Sequence, residues 1–348
     1  MKVADFSFEL PAGLVAQFPP DERGSSRLLV LDRRTGGITH SAIRELAGFL
    51  GRGDLMVFND TRVFPARLVG EREPGGGAVE VMLVSRLDDD RWEALVHPGQ
   101  RMRPGRRVRF ERGGRTLQGE VVEERFFGRR VVRLWTGDTG TVMDAIEAIG
   151  HIPLPPYIKR PDLELDRDRY QTVYAREAGS IAAPTAGLHF TDAILRSLDE
   201  AGIERTAITL HVGYGTFKPV RATEVEEHTV DTERYAIGED AAARINAALQ
   251  SGRRIIVVGT TTTRALESAA ERGGGRIVAG RAETDLFIRP GHRFAVAGGL
   301  VTNFHLPASS LLMLVAAFAG REAVLKAYRE AVTARYRFYS YGDAMLAV

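Results

Sequence analysis

AVEVMLVSRL (78–87), RWEALVH (91–97), RVRFER (107–112), RTLQGEVVEE (115–124) and RRVVRLW (129–135) follow one another, separated by Gly-rich turns and charge clusters. Each segment is short, and each alternates apolar with polar residues or is rich in β-branched side chains. Repeated at about 10–15-residue spacing, that texture predicts a small antiparallel β-barrel or sandwich. The texture begins near Ala66 and ends near Gly150. We therefore read residues 66–149 as an inserted β-barrel domain, interrupting a discontinuous α/β domain made of residues 1–65 and 150–348.

The flanks have a different rhythm. RLLVLD (27–32) and DLMVFN (54–59) are buried-strand candidates, with the periodic AIRELAGFL (42–50) predicted as a helix between them. After Gly150 the helical period returns. TDAILRSLDEAG (191–202) opens on a Thr191 N-cap and closes on Gly202, and the strand-like IERTAITLHV (203–212) follows. EDAAARINAALQSG (239–252), RRIIVVG (253–259) and TTTTRALESAAERGG (260–274) read as helix, strand and helix; helices over 308–319 and 321–335 complete the series. Alternating strands and helices predict an α/β layer architecture with a parallel or mixed sheet. His151–Ser180 holds the Pro-rich and highly charged HIPLPPYIKRPDLELDRDRYQ, the composition of a lid, binding loop or linker, with a short helix in its charged half.

The chain has 348 residues, 44% hydrophobic and 26% charged, the balance of a globular protein rather than a disordered one. It has no cysteine, which excludes disulfides, a thiolate nucleophile and cysteine metal sites. The N-terminal MKVADFSFELPAGLVAQFPP lacks the apolar core of a secretory signal. The longest small-and-apolar run, Ala308–Ala319, falls short of the roughly 20 residues a membrane span needs. We expect a soluble, cytoplasmic protein with no membrane partner. The net charge of +2 does not by itself argue for a nucleic-acid partner. Its distribution says more: residues 101–133 hold 11 Arg against 4 Glu, a local excess of +7. Such a pole is either a polyanion-binding surface or a solvated strand face.

Several motifs carry chemistry. NDTRVFPAR (59–67) places Asn59, Asp60, Thr61 and Arg62 at a strand's carboxyl end, where open α/β sheets bind ligands; an Asx-type turn is the other reading. APTAGLHF (183–190) sets His189 on the approach to a helix N-terminus. LHVGYGTFKP (210–219) has two close glycines flanked by His211 and Lys218, yet no dinucleotide fingerprint. In VVGTTTTRALE (257–267) a buried strand runs through glycine into Thr260, Thr261, Thr262, Thr263 and Arg264. That start either cradles a carboxylate or phosphate, or simply caps the helix. Asp285, His305, Tyr339 and Asp343 lie in ETDLFIRPGHRF, NFHLP and YSYGDAM, and Tyr is a stacking surface for a base. The eight His are dispersed and show no metal-ligand spacing, so no metal is expected.

NDTRVFPAR, HIPLPPYIKR, YQTVYA, APTAGLHF, LHVGYGTF, EEH, GTTTTRALE, TDLFIRPG, NFHLP, LLMLVAAFAG and YSYGDAM together resemble, block by block and in order, the S-adenosylmethionine:tRNA ribosyltransferase-isomerase family of queuosine biosynthesis. The resemblance spans essentially the whole chain and implies an α/β domain interrupted by a β-barrel. It implies transfer and isomerisation of the ribosyl unit of S-adenosylmethionine onto 7-aminomethyl-7-deazaguanine at the tRNA wobble position. Epoxyqueuosine-tRNA forms, and adenine and methionine are released. It also implies a monomer.

On that reading S-adenosylmethionine is a co-substrate and tRNA the macromolecular partner. His189 and His211 are expected to transfer protons and Asp60 to orient or deprotonate the amine. The Thr260–Thr263 start would hold an anionic group such as the methionine carboxylate, with Arg62 and Arg264 as further anion contacts. Asn59, Thr61, Asp285, His305, Tyr339 and Asp343 complete the expected substrate site. Arg101, Arg103, Arg106, Arg107, Lys159 and Arg160 are expected to touch phosphates. The family often carries a basic residue after NFHLP, where Ala308 stands here. Two rival readings have distinct signatures. A methyltransferase would yield S-adenosylhomocysteine, and a non-catalytic RNA-binding module would leave S-adenosylmethionine intact.

Overall fold

The computed structural model describes residues 1–137, 139–213, 215 and 220–348, the side chain of Phe127 excepted. Tyr214 and Thr216–Pro219 of the LHVGYGTFKP motif, Lys218 among them, lie outside the described residues. In chain order come β1 (Arg27–Leu31), β2 (Ile38–Ala42), β3 (Leu55–Asn59) and β4 (Thr61–Val63). The barrel strands follow: β5 (Arg67–Glu73), β6 (Ala78–Arg86), β7 (Arg91–His97), β8 (Arg107–Arg112), β9 (Arg115–Glu124) and β10 (Arg129–Trp135). Next are α1 (Val142–Ile149), α2 (Glu164–Arg169), β11 (Glu177–Ser180), α3 (Asp192–Glu200), β12 (Glu204–His211) and β13 (Glu233–Ile237). Last are α4 (Glu239–Gln250), β14 (Ile255–Val258), α5 (Thr260–Arg272), β15 (Gly280–Thr284), β16 (Gly299–Asn303), α6 (Ser310–Ala319), α7 (Arg321–Thr333) and β17 (Ala344–Ala347).

Nine strands form a mixed sheet in the order β15-β13-β12-β3-β14-β16-β17-β1-β2. β12, β3, β14 and β16 are mutually parallel, so their carboxyl ends share one edge. Alternate residues of a strand face opposite ways, and the apolar strands use both faces. Leu55, Val57, Ile255 and Val257 pack with Ile245, Leu266, Leu312 and Val324 from α4–α7. Met56, Phe58, Ile256 and Val258 pack on the other face with Ile194, Leu195 and Leu198 of α3. Continuous burial in β3, β14, β16 and β17 is what a sheet covered on both sides requires. The result is a three-layer α/β unit drawn from both sides of the barrel segment.

Strands β10-β7-β6-β5-β8-β9 close into an antiparallel barrel. Its interior is filled by alternating side chains such as Val79, Val81, Leu83, Trp92, Ala94, Val108 and Phe110, with Ile146 and Ile149 of α1 joining that core. β5 has no apolar alternation to announce it: RLVGERE carries Gly70, where an added Cβ would sit 2.2 Å from the Arg109 carbonyl oxygen. Two other expectations meet a difference. Residues Ile43–Phe49 form a 3₁₀ helix, because the segment is short, contains Gly48 and lacks a side-chain cap. The Pro-rich stretch is firmly tied. The Asp166 carboxylate, fully buried, accepts from Arg160 at 2.7 and 2.9 Å, from the Leu163 N–H and from the Tyr341 hydroxyl.

Candidate functional site

A cleft of about 550 Å³ opens at the carboxyl ends of β14 and β16. Its lining includes Gly259, Thr260 and Thr261 at the start of α5, Thr302, Asn303 and His305 at the end of β16, and Tyr339 from the C-terminal segment. Val212, Ala182–Ala186, Tyr157 and Lys159 supply further walls.

Gly259 has φ 92° and ψ 148°, which turns β14 directly into α5 and brings the unpaired helix N-terminus to the cleft. The four threonines are not equivalent there. Thr262 and Thr263 donate their hydroxyls backwards to the Val258 and Gly259 carbonyls at 2.6 and 3.0 Å, whereas Thr260 and Thr261 line the cleft. Opposite them the Tyr157 and Tyr339 rings lie 3.9 Å apart between centroids. Tyr339 is held at φ 74°, a strained backbone for a bulky residue. Its N–H donates to the Phe304 carbonyl, and its own carbonyl accepts from the Asn303 amide at 2.9 Å. Ala308 also lines the cleft and also has positive φ, 56°. Gln17 fixes the Tyr157–Lys159 wall by donating to the Tyr157 carbonyl and accepting from the Lys159 N–H.

The histidines separate into three settings. His305 lines the cleft, bonded through Nε2 to the Thr302 hydroxyl at 2.8 Å, and burial pushes it down to about 3. His189 is buried one layer behind. Its Nδ1 meets the Ser26 hydroxyl at 2.9 Å, its Nε2 faces the Asn303 amide at 3.2 Å, and burial lowers it to about 4. His211 precedes the cleft-lining Val212 and points the other way, to Thr61 at 2.8 Å. Burial lowers its pKa against the opposing pull of Glu177 and Asp60. Gly179 gives the ring its space, since an added Cβ would meet Cε1 at 2.9 Å.

Asp60, also buried, accepts from Thr209 at 2.7 Å and Arg176 at 2.8 Å. Asp60, Thr61 and His211 thus form a second cluster on the far side of the cleft wall. The Ser180 hydroxyl stitches that wall, accepting from the Val212 N–H and donating to the Ala182 carbonyl.

Four of the expected contact residues are engaged within the fold. The Arg264 guanidinium is buried against Glu233 at 2.5 Å and donates to the Leu286 carbonyl, so it is engaged inside the fold. Asp343 accepts from the Arg27 and Arg337 backbones and pairs with the Arg27 side chain, joining β1 to the C-terminal segment. Asn59 spends its amide on Leu210 and the Thr61 N–H, clamping β3 to β12. Arg160 is held by Asp166 and stacks over Phe18 at 4.4 Å instead of reaching outward. Arg62 is exposed beside Glu147 at 3.7 Å, and Asp285 is exposed beyond the end of β15; neither lines the cleft.

The basic segment is thinned in the same way. Arg107, Arg109, Arg112, Arg125, Arg129, Arg130 and Arg133 each face an acid, several of them from outside the segment, such as Glu93 and Asp90. Arg101, Arg103 and Arg106 are exposed and have no acidic partner among the described residues. Asn303, Gln17 and the Ala12–Val15 turn were missed in the sequence. Asn303 sits inside the quoted NFHLP block, but nothing in its spacing marks it as the link between His189 and Tyr339. Among the described residues no cluster of three or more His, Asp or Glu could hold a metal, and no helix is long and apolar enough to cross a membrane.

A cleft at the carboxyl edge of a doubly covered mixed sheet, beside a closed barrel with three exposed arginines, unpaired among the described residues, at one end, is the arrangement of a small-molecule-binding α/β protein that carries a second module. The model of the family described as queuosine biosynthesis protein matches residues 3–347, and the chain belongs to that family. The S-adenosylmethionine:tRNA ribosyltransferase-isomerase of Heliobacterium modesticaldum is 51% identical over 349 residues, covering all of both chains. Its counterpart from Desulfitobacterium hafniense is 50% identical over 99% of each. The crystal structure of S-adenosylmethionine tRNA ribosyltransferase from Thermotoga maritima is 34% identical, covers 99% of this chain and 100% of that one, and gives a TM-score of 0.55.

Proposed function

We propose that this protein is a transferase that moves the ribosyl unit of S-adenosylmethionine onto tRNA and isomerises it there. The acceptor on this reading is the aminomethyl group of 7-aminomethyl-7-deazaguanine at the wobble position, and adenine and methionine leave. Full-length identity near 50% to enzymes bearing that name supports the reaction class. The observation that carries the site is that one cleft collects a helix N-terminus, two tyrosine rings and a neutral imidazole.

These groups fit the parts of S-adenosylmethionine. The free N–H groups of α5, with Thr260 and Thr261, suit the methionine carboxylate. The Tyr157 and Tyr339 faces suit the adenine ring or the sulfonium cation. Burial keeps His305 and His189 unprotonated at neutral pH, so they act as hydrogen-bonding partners or bases and not as acids. The sulfonium acidifies the adjacent C5′ hydrogens, and His305 is the imidazole that lines the cleft to receive one. His189 acts through Asn303, which it orients against Tyr339. Protons needed by departing adenine come from groups that stay protonated, and burial raises the Tyr157 and Tyr339 hydroxyls, keeping both as donors. The Asp60–Thr61–His211 cluster is the second candidate for handling the incoming amine. Residues 66–149 serve as the module that holds RNA, through Arg101, Arg103 and Arg106.

Incubation of the protein with S-adenosylmethionine and precursor-bearing tRNA, followed by chromatography, tests the reading. Free adenine and methionine in equal amounts are expected. S-adenosylhomocysteine, or no turnover of a folded protein, would overturn it.

A further inference from the structure

The β9–β10 hairpin carries the most exposed large apolar side chain among the described residues: Phe126, 87% exposed, in the turn Phe126–Gly128. Its sequence context is Arg125-Phe126-Phe127-Gly128-Arg129-Arg130. A phenylalanine that protrudes so far contributes little to the core, and a single exposed ring becomes informative through what shares its surface.

Strand polarity places this turn on the same end of the barrel as the 98–106 connection, because β7 runs out to that end and β10 starts from it. Arg130 ties the two together, donating to the Met102 carbonyl at 3.2 Å and the Gly99 carbonyl at 3.3 Å. The exposed ring therefore shares one barrel end with Arg101, Arg103 and Arg106, three exposed arginines that face no acid among the described residues. Arg129 also reaches Asp231 of the α/β unit at 4.0 Å, so this end touches the half that carries the cleft.

We propose that Phe126 is a stacking platform for an unpaired nucleotide of tRNA, held there by phosphate contacts to Arg101, Arg103 and Arg106. The inference rests on the tRNA-acting reading above and deepens it. Aromatic stacking tolerates any base and complements a cationic rim that grips the backbone. A solely apolar partner would not match that rim.

Anisotropy of fluorescein-labelled, precursor-bearing tRNA, titrated over a salt series, separates the terms. Phe126→Ala is expected to weaken binding roughly 5- to 150-fold. It leaves the slope of log affinity against log salt unchanged, because no phosphate contact is lost. Arg103→Ala flattens that slope by about one unit. Phe126→Trp retains affinity, and its fluorescence is quenched on binding. The ring is exposed, so none of these changes threatens folding. Wild-type affinity in Phe126→Ala, with the Arg103→Ala effect intact, would overturn the stacking role and leave the tRNA reading standing. Loss of self-association in Phe126→Ala with tRNA affinity unchanged would assign the patch to a second copy and equally overturn it. Absence of salt-dependent tRNA binding by the wild type would remove the underlying reading and this inference together.

Discussion

Replacing Gly259 by alanine isolates the turn on which the cleft depends. At φ 92° and ψ 148° the residue occupies a region that only glycine enters freely. An added Cβ would find Ala186 Cβ at 3.7 Å as its nearest neighbour, an ordinary contact, so steric clash contributes nothing. The cost is conformational, about 1–3 kcal/mol, and for a chain of this length corresponds to a fall in Tm of roughly 1–4 °C. A chain that relaxes this strain rotates the peptide leading into α5 and misaims the first N–H groups. A hydrogen bond to a charged carboxylate is worth about 1.5–3 kcal/mol, so S-adenosylmethionine should bind roughly 10- to 150-fold more weakly. Calorimetric titration with S-adenosylmethionine and with its decarboxylated analogue checks the cause. The analogue has no carboxylate to lose, so Gly259→Ala should barely change its affinity. Equal losses for both ligands, or none for either, would refute the helix-start account of the anion site.

Other perturbations give equally definite outcomes. Tyr339→Ala should raise KM for S-adenosylmethionine about tenfold or more, since the ring face is what stacks, while Tyr339→Phe keeps KM near wild type and lowers only kcat, by the loss of one hydroxyl donor; steady-state kinetics distinguish them. Asp166→Asn leaves the partly buried Arg160 guanidinium without its charge partner and should cost about 1–3 kcal/mol, read from urea midpoints. Part of the pH dependence of stability follows from His189, alongside the likewise buried His305; the folded pKa of His189 is about 4 against an ordinary 6.5. Between those values the unfolded chain binds the proton and the folded one does not, so stability is full above about pH 6.5 and declines as pH falls toward 4. His189→Gln should make that decline shallower, with His305 supplying the remainder; an unchanged slope in denaturant titrations would show that His189 does not contribute to it.

Much of the fold was legible in the residues because periodicity survives folding. The five barrel strands from Ala78 to Trp135, and the helix that opens on Thr191, form within a residue or two of their predicted limits. β5 was not legible, because its glycine is required by a close backbone approach and erases the alternation. The site was less legible than the fold, for a specific reason. Arg264, Arg160 and Asp343 are charged residues in conspicuous motifs, but sequence does not reveal that Glu233, Asp166 and Arg27 await them across the fold. Adjacent residues also part company. Val212 faces the cleft while His211 faces Thr61, and Thr260 and Thr261 line it while Thr262 and Thr263 bond back into their own helix.

The central claim is that this cleft takes S-adenosylmethionine apart and passes on its ribose. Uniformly ¹³C-ribose-labelled S-adenosylmethionine, incubated with the protein and precursor-bearing tRNA, tests it by mass spectrometry of the digested tRNA nucleosides. The account predicts that all five labelled carbons appear on the modified wobble nucleoside. Label retained in S-adenosylhomocysteine, with the tRNA unlabelled, would contradict it.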